Sequence, residues 1–257
     1  MGEMLKDKVI IITGGTKGLG KGVALGCIRE GAKVVVSGRS DVDGLKTLEE
    51  ARSFGLAGLT FAKGEITRVQ DCEALVKKTI DLHGRIDGLV NYAGILPAAS
   101  LVDTGESLFD DVIELNLKAP FFLCKFAIRE MLKTGGGSIV NICSPHAYNG
   151  EPDRAAYACS KGALLTLTKH IARNYRRNQI RANSITMGWV ATDGEMALRK
   201  SQGHDLSWLQ EVASGIIPMG RLQTVDDHVP GILYLLSDQS SQVTNTELHI
   251  TGGYFMA

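Results

Sequence analysis

The sequence predicts an α/β fold in which a parallel β-sheet is covered by helices on both faces, a doubly wound three-layer α/β/α arrangement. Short runs rich in Val and Ile alternate along the chain with helix-length segments of ten or more residues. A glycine-rich turn follows the first of these runs. No linker, repeat or low-complexity segment interrupts the alternation, so we predict a single Rossmann-like domain over residues 1–257.

Four strands and three helices are predicted in the first part of the chain. The run Val9–Thr13 (VIIIT) is β-branched throughout, as in a strand buried on both faces. The helix that follows is predicted over residues 19–30 and ends at Gly31, a residue suited to closing helices. Strands at 33–37, 59–62 and 86–90 then alternate with helices at 43–54 and 69–82.

The second part of the chain continues this alternation. Two helices are predicted over residues 106–133, with Pro120 near their junction. A strand at 138–142, a long helix at 155–176 and a strand at 180–185 follow. Residues 193–218 are polar and mixed, which favours a short helical excursion from the sheet. A helix at 225–236 and a strand at 247–250 complete the predicted fold.

Composition limits the partners and the compartment. Lys and Arg total 28, as do Asp and Glu, so the net charge is zero and nothing favours nucleic acid or an anionic membrane. The five cysteines form no CxxC motif and are odd in number, which favours a reducing cytoplasm. Charges near the start interrupt any signal-peptide core, and no apolar run approaches the roughly 20 residues that span a bilayer. No metal site is expected.

The segment TGGTKGLG at residues 13–20 follows the first strand. Glycines allow the backbone to turn tightly and to approach a phosphate, and the helix that starts near Leu19 points its free N–H groups at the same place. Such a turn also serves as a packing device and occurs in other nucleotide-binding folds. Its position in the first strand–helix unit favours a dinucleotide.

The end of the second strand indicates which dinucleotide binds. A fold that prefers NAD places an acidic residue about 20 residues past the glycines, where it binds the ribose 2′-hydroxyl. This chain has Gly38 and Arg39 instead, and Lys17 in the turn can add a second positive charge beside a 2′-phosphate. Surface pairing of Arg39 with Asp41 or Asp43 is the alternative. We therefore predict NADP as the cofactor, with NAD the less favoured choice.

Tyr157 and Lys161 stand four residues apart in the long predicted helix and therefore share one of its faces. A tyrosine has an ordinary pKa near 10, too high for a base at neutral pH, and a neighbouring ammonium group lowers that pKa by favouring the phenolate. Lys161 can also bind the nicotinamide ribose. Taken alone, a Tyr and a Lys at this spacing more often mark a helix surface.

Two further polar residues strengthen the catalytic interpretation. Ser144 follows the strand at 138–142, at the carboxyl end of the sheet where ligands bind, and can hold a substrate oxygen beside Tyr157. Asn116 lies in an apolar run, where an unpaired amide is costly. A loop serine ahead of Pro145 and an asparagine paired for structural reasons are the alternatives.

Together these residues resemble the short-chain dehydrogenase/reductase family, in its single-domain subtype of this chain's length, 257 residues. The resemblance covers nearly the whole chain and rests on the turn at 13–20, the sequence NYAG at 91–94, and the later residues Asn116, Ser144, Tyr157 and Lys161. It implies an NADP-dependent oxidoreductase that transfers a hydride between the nicotinamide and a carbonyl or secondary alcohol.

The resemblance also implies a role for each site residue. Tyr157 is the general acid in reduction and the base in oxidation, Ser144 polarises the carbonyl, and Lys161 binds ribose and lowers the Tyr157 pKa. Asn116 anchors a water that relays protons to Lys161. The resemblance implies that the phosphates are bound by Gly14, Thr16, Lys17, Gly18, Leu19 and Gly20, and the 2′-phosphate by Arg39. It implies that adenine is flanked by Glu65 and Ile66, and the adenosine ribose by Asn91, Ala93 and Gly94. The carboxamide is implied to meet Val190 and Thr192.

Three positions depart from the family pattern. Tyr92 replaces the second Asn of Asn-Asn-Ala-Gly, and Glu65 replaces an Asp after the third strand. Met187 replaces a Pro before Gly188, in a loop that forms the floor of the nicotinamide site. We expect the missing proline to change affinity or substrate shape rather than to remove activity.

Substrate choice is expected to lie in loops at 95–97, 145–149 and 189–221. The second loop is polar and aromatic, with His146 and Tyr148, which suggests a hydroxylated substrate such as a sugar or polyol derivative; both side chains can instead shape the loop. Residues 193–218 are expected to form a lid that closes over substrate. Cys143 and Cys159 lack a catalytic partner and are expected to be small buried side chains.

Two other functions are compatible with parts of the sequence. A non-catalytic NADP-binding protein can use the same fold, but it has no need of the intact catalytic set. A methyltransferase or other nucleotide-using transferase shares the turn but has no use for Tyr157 and Lys161. The resemblance further implies a homo-oligomer, a tetramer or dimer, joined through the last strand and the apolar sides of residues 117–126 and 163–171.

Overall fold

A computed structural model of the protein describes residues 3–149 and 151–254. Its strands are β1 (Val9–Thr13), β2 (Lys33–Gly38), β3 (Leu59–Lys63), β4 (Gly88–Asn91), β5 (Gly137–Cys143), β6 (Ile180–Met187) and β7 (Glu247–Ile250). They form one seven-stranded sheet in the order β3-β2-β1-β4-β5-β6-β7. Every neighbouring pair of strands is parallel.

Helices cover both faces of this sheet. They are α1 (Gly18–Arg29), α2 (Asp41–Ser53), α3 (Val69–His83), α4 (Glu106–Ile113), α5 (Ala119–Thr134), α6 (Ala155–Tyr175), α7 (Asp193–Ser201), α8 (Leu206–Ile216) and α9 (Val225–Leu236). Buried residues of α1, α2 and α9 form one core with the sheet, and those of α3, α5 and α6 form a second. The predicted three-layer α/β/α class is confirmed.

The strand β1 shows why a fully apolar run stands at the centre of the sheet. Ile10 and Ile12 pack into the core that contains α1, whereas Ile11 packs into the core that contains α3. Successive side chains of a strand point to opposite faces, so all five residues of β1 are buried. Burial on both faces explains the absence of polar alternation in this run.

The direction in which successive strands are added to the sheet reverses at β1. The strands β2 and β3 lie on one side of it, and β4 to β7 lie on the other. In such sheets, ligands bind at the carboxyl ends of the strands beside this reversal. Thr13 ends β1 and fixes the neighbouring segment, because its Oγ1 accepts hydrogen bonds from the N–H groups of Tyr92 (3.0 Å) and Ala93 (3.1 Å).

The two helices predicted over residues 106–133 form one continuous helical stretch in the structure. A π-helical turn, Glu114–Lys118, connects α4 to α5, and Pro120 lies in the first turn of α5. Proline has no N–H to donate to the carbonyl four residues earlier, so the hydrogen-bond pattern changes here without breaking the helix. Asn116 lies in the middle of this wider turn.

Other differences from the sequence prediction concern boundaries. β4 begins at Gly88 rather than at residue 86, β6 extends to Met187, and residues 193–218 contain both α7 and α8. Across residues 3–149 and 151–254, no helix combines the length and hydrophobicity needed to cross a membrane. In the same part of the chain, no group of three or more His, Cys, Asp or Glu is placed to hold a metal ion.

Candidate active site

The glycine-rich turn joins β1 to α1 at the carboxyl edge of the sheet. Gly14 has a φ of +65°, a conformation that other residues rarely adopt. A Cβ atom at Gly20 would lie 2.4 Å from the carbonyl oxygen of Gly14 and 2.7 Å from the ring of Tyr92. The turn therefore requires glycine at both positions.

The start of α1 is able to bind an anion. Lys17 is the N-cap residue and makes no side-chain cap, and the described first turn of the helix contains no acidic residue. The N–H groups of Gly18, Leu19 and Gly20 therefore lack the usual capping partner, and the positive end of the helix dipole is not neutralised from within. A pyrophosphate suits this arrangement.

Two exposed bases lie near the end of β2. Nη1 of Arg39 is 3.6 Å from Oε2 of Glu65, and Nζ of Lys17 is 2.8 Å from Oδ2 of Asp43. The Lys17 ammonium holds the pKa of Asp43 below its usual value. The alternative that paired Arg39 with Asp41 or Asp43 is wrong, because Asp41 instead pairs with a lysine at the end of β3.

The end of β2, just before Arg39, lies close to the glycine-rich turn. Thr16 stands against Gly38, where a Cβ atom would be 2.9 Å from the Thr16 hydroxyl oxygen. Gly38 therefore brings the end of β2 against the glycine-rich turn. This contact places the region of Arg39 beside the start of α1.

The residues expected to contact adenosine lie at the ends of β3 and β4. Ile66 is buried, and the backbone N–H of Glu65 donates to Oδ2 of Asp71 (2.7 Å). Asn91 is also buried, and its Nδ2 donates to Oδ1 of Asn141 on β5 (2.8 Å). The Asn91 amide thus cross-links two strands of the sheet, and its contact with a cofactor stays a prediction.

Tyr157, Lys161 and Ser144 meet at the carboxyl ends of β5 and β6. Both Tyr157 and Lys161 lie in the first two turns of α6, and Nζ of Lys161 is 5.6 Å from the centre of the Tyr157 ring. The Lys161 Nζ donates to the carbonyl oxygen of Ile142 on β5 (2.8 Å). Ser144 follows β5 and forms a hydrogen bond with Tyr157. The structure therefore brings the three predicted side chains together.

The surroundings of Tyr157 favour its neutral form. Burial in the site raises the pKa of Tyr157 to about 12, and the hydrogen bond from Ser144 and the charge of Arg154 oppose this rise. Burial also lowers the pKa of Lys161. The phenol is therefore neutral at physiological pH, and the expected lowering of its pKa by Lys161 stays a prediction.

Asn116 is fully paired by its protein neighbours. Its Oδ1 accepts a hydrogen bond from the N–H of Ile95 (2.9 Å), and its Nδ2 donates to the carbonyl oxygen of Ile95 (2.9 Å) and to Oγ of Ser160 (3.2 Å). A Cβ atom at Gly94 would lie 3.0 Å from the same Oδ1. Asn116 thus holds the segment after β4 against α6, and its role with a water molecule stays a prediction.

A cavity of about 570 Å³ lies over these groups. Part of its wall adjoins the glycine-rich turn and β4, with Tyr92, Gly94, Lys161, Val190 and Thr192. Another part comes from Leu96 in the segment after β4 and from the segments after β5 and β6, with His146, Arg154, Trp189, Arg199 and Ile216. The cavity therefore extends from residues that neighbour the glycine-rich turn to Tyr157 and beyond it.

The segment after β6 contacts both parts of the cavity. Val190 is buried and pairs with Gln223 in an isolated parallel bridge. Thr192 caps α7 by accepting the N–H of Glu195 (3.2 Å) on its hydroxyl. Its side chain also approaches the turn, since a Cβ atom at Gly18 would lie 3.7 Å from it. The predicted lid thus starts at the phosphate-binding turn.

Arg154 and Arg199 are two basic residues of the cavity wall that the sequence analysis does not single out. Arg154 immediately precedes α6 and lies three residues before Tyr157, and this helical spacing is the signal that could have identified it. Arg199 lies in α7, and its guanidinium is 5.4 Å from the centre of the Trp189 ring. Its guanidinium pairs with Glu195 within the same helix, but its place over Trp189 is a tertiary contact that the sequence pattern does not contain.

The two ring side chains of the loop at 145–149, those of His146 and Tyr148, make different contacts. His146 lines the cavity, and its ring meets the Tyr157 ring edge-on at 5.8 Å. Tyr148 instead donates a hydrogen bond from its hydroxyl group to Glu247 on β7.

Cys143 is buried as expected, but Cys159 is exposed because it lies on the outer face of α6. The expectation of burial is therefore wrong for Cys159.

The chain is similar to known proteins over nearly its whole length. The family profile described as short chain dehydrogenase matches residues 8–203. An uncharacterized oxidoreductase of Thermotoga maritima is 37% identical over 96% of this chain and 97% of its own. The 2-(S)-hydroxypropyl-CoM dehydrogenase 3 of Xanthobacter autotrophicus is 34% identical, with 98% of both chains covered.

A solved structure is similar over the same extent. The crystal structure of a presumed short-chain alcohol dehydrogenase from Sinorhizobium meliloti superimposes with a TM-score of 0.90. It is 27% identical in sequence, and 99% of each chain is covered. The arrangement of strands and helices is therefore shared with this solved structure.

Proposed function

The chain belongs to the short-chain dehydrogenase/reductase family, an oxidoreductase family that acts on alcohols and carbonyls, and on that basis we propose that it is NADP-dependent and uses Tyr157 as its acid and base. The observation that carries the proposal is the meeting of Tyr157 with Ser144 and Lys161 beneath one cavity. The family assignment also disfavours the transferase hypothesis, which has no use for these three side chains.

A dinucleotide fits the residues of this chain. The uncapped start of α1 suits the pyrophosphate, and the tight approach around Gly20 keeps side chains away from it. Arg39 and Lys17 are 75% and 73% exposed, and within residues 3–149 and 151–254 each pairs with one carboxylate. Exposed ion pairs are weak, so a 2′-phosphate can displace Glu65 and Asp43 at little cost. These features favour NADP over NAD.

When bound, the nicotinamide supplies or accepts the hydride. The protein's own part in the reduction is to hold the carbonyl oxygen between the hydroxyl groups of Ser144 and Tyr157 and to provide the proton from Tyr157. Its neutral form at physiological pH suits this donation. In the oxidation, the same oxygen atom of Tyr157 takes the proton from the alcohol.

Lys161 and Asn116 position the reacting groups. Lys161 is anchored on the carbonyl of Ile142 and has further N–H groups for the ribose hydroxyls. Asn116 fixes the segment at Gly94 and Ile95, which forms one wall of the cavity. Residues 193–218, which include α7 and α8, form a lid over the substrate and exclude water.

The cellular setting is part of the same proposal. The five cysteines are free thiols in the structure, which suits a reducing cytoplasm. Phe109 of α4 and Phe121 of α5 are 44% and 49% exposed, and a second copy of the chain can cover them. We therefore expect a cytoplasmic homo-oligomer, a dimer or a tetramer.

The direct test compares wild type, Tyr157→Phe and a matched Tyr148→Phe control. Each is assayed for NADPH consumption with a panel of ketones and aldehydes. We expect turnover by wild type and by Tyr148→Phe, and a loss of roughly 10²–10⁴-fold in Tyr157→Phe, the range for removing a general acid. Equal rates in all three proteins would contradict the proposed role of Tyr157. NADPH binding by Tyr157→Phe, followed by fluorescence, verifies that its cofactor site is intact.

A further inference from the structure

Two arginines face the cavity from different walls. Arg154 stands at the start of α6, three residues before Tyr157, and Arg199 stands on α7 in the predicted lid. We propose that they form a binding site for an anionic group of the substrate, so that the substrate is an oxo or hydroxy compound that also carries a carboxylate, sulfonate or phosphate. This inference rests on the proposed function and specifies its substrate class.

Arg154 keeps one edge of its guanidinium open. Its Nη1 donates to the carbonyl oxygen and to the carboxylate of Asp153, each at 2.8 Å. Its Nε and Nη2 donate to no residue in the described part of the chain. These two atoms present parallel N–H groups, the arrangement that matches the two oxygens of a carboxylate. With 22% of its side chain exposed, Arg154 is held in the wall rather than extended into solvent.

Arg199 is held in place by three contacts. Its Nε donates to Oε1 of Glu195 (2.8 Å), its Nη1 donates to Gln202 (3.1 Å), and its guanidinium lies over the ring of Trp189. The Trp189 Nε1 donates to the same Oε1 of Glu195 (2.7 Å), which ties the lid to the floor of the cavity. Among the described residues, Nη2 of Arg199 has no hydrogen-bond partner and remains available to a ligand.

The preference for an anion follows from this geometry rather than from net charge. The cavity wall contains three bases and three acids: Arg154, Lys161 and Arg199; Glu151, Asp153 and Glu195. Asp153 and Glu195 are each engaged by one of the arginines, and Lys161 lies on the side of the nicotinamide. The open donor groups beyond Tyr157 therefore belong to Arg154 and Arg199, and Glu151 can accept hydrogen bonds from substrate hydroxyl groups.

The test compares acids with uncharged amides of the same shape. Acetoacetate and levulinate, with acetoacetamide and levulinamide, are offered as substrates with NADPH to wild type, Arg154→Gln, Arg199→Gln and Arg154→Lys. Arg177→Gln is the matched control, because Arg177 is exposed and lies outside the cavity wall. Binding of levulinate and levulinamide to the NADP⁺-saturated proteins is measured by calorimetry, where no reduction can take place.

We expect wild type and Arg177→Gln to prefer an acid over its amide by at least tenfold in kcat/KM and in affinity. Arg154→Gln and Arg199→Gln should each reduce this ratio at least fivefold, and Arg154→Lys should restore part of it, since it keeps the charge without the fork. Equal use and equal binding of acids and amides by wild type would overturn the inference. If no carbonyl is reduced by any protein, the proposed function fails, while the calorimetric ratio still decides the anion site.

Discussion

The ammonium group of Lys161 lies 5.6 Å from the centre of the Tyr157 ring. Its hydrogen bond is made to the carbonyl oxygen of Ile142, so the lysine is tied to the sheet rather than to the tyrosine hydroxyl. Burial meanwhile raises the pKa of Tyr157 to about 12. Tyr157 is therefore neutral at physiological pH, and its proposed role as acid and base predicts a different pH dependence for the two reaction directions.

Oxidation of an alcohol should accelerate as the pH rises, because it requires the phenolate of Tyr157. Below the tyrosine pKa, the phenolate fraction grows tenfold for each pH unit, so kcat/KM should rise with this slope above neutral pH. Carbonyl reduction requires the neutral phenol and should stay constant over the same range. Initial rates in both directions from about pH 6 to about pH 10 check this expectation. An oxidation rate that does not change with pH would argue against Tyr157 as the base.

Removal of the Asn116 amide should destabilise the protein. Asn116→Ala leaves the N–H and carbonyl groups of Ile95 without their partners, which costs roughly 1–3 kcal/mol. The midpoint of thermal unfolding should fall by about 2–4 °C per kcal/mol in a chain of this size. Asn178→Ala, at an exposed position, is the matched control and should unfold close to wild type. An unchanged midpoint in Asn116→Ala would show that these bonds add nothing to stability.

Gly20→Ala should weaken NADPH binding by at least tenfold and lower the unfolding midpoint. The added methyl group would meet the Gly14 carbonyl oxygen at 2.4 Å, so the phosphate-binding turn must move. Gly215→Ala is the matched control, because no atom lies within 4 Å of its added Cβ and the residue is in α8. The control should be stabilised by up to about 1 kcal/mol through helix propensity. Equal NADPH affinity in both variants would refute the tight-turn account.

The sequence was sufficient to predict the fold because its apolar runs are local and unambiguous. A strand such as Val9–Thr13 is buried on both faces, and that requirement is visible in the residues themselves. The approximate position of Ser144, Tyr157 and Lys161 followed, since parallel strands bring their carboxyl ends to one edge. Helix boundaries within residues 106–134 did not, because the chain passes Pro120 through a π-helical turn instead of ending one helix and starting another.

The charged part of the site was harder to predict for a physical reason. Arg39 has nearby acids at residues 41 and 43, yet its partner is Glu65, which is brought close only by the pairing of β2 with β3. Arg199 pairs with Glu195 at a helical spacing visible in the sequence, but its contact with the ring of Trp189 depends on how the segment after β6 folds. Long charged side chains can reach several partners, so local sequence does not fix which one they meet.

The most direct test of the account is a titration of the protein with NADPH and with NADH, followed by nicotinamide fluorescence. Wild type is compared with Arg39→Ala and with the control Arg68→Ala, another exposed arginine in an ion pair. We predict tight NADPH binding that weakens at least tenfold in Arg39→Ala and is unchanged in Arg68→Ala, with NADH binding alike in all three. A preference for NADH, or NADPH binding that is indifferent to Arg39, would contradict NADP dependence, and binding of neither nucleotide would contradict the proposed function as a whole.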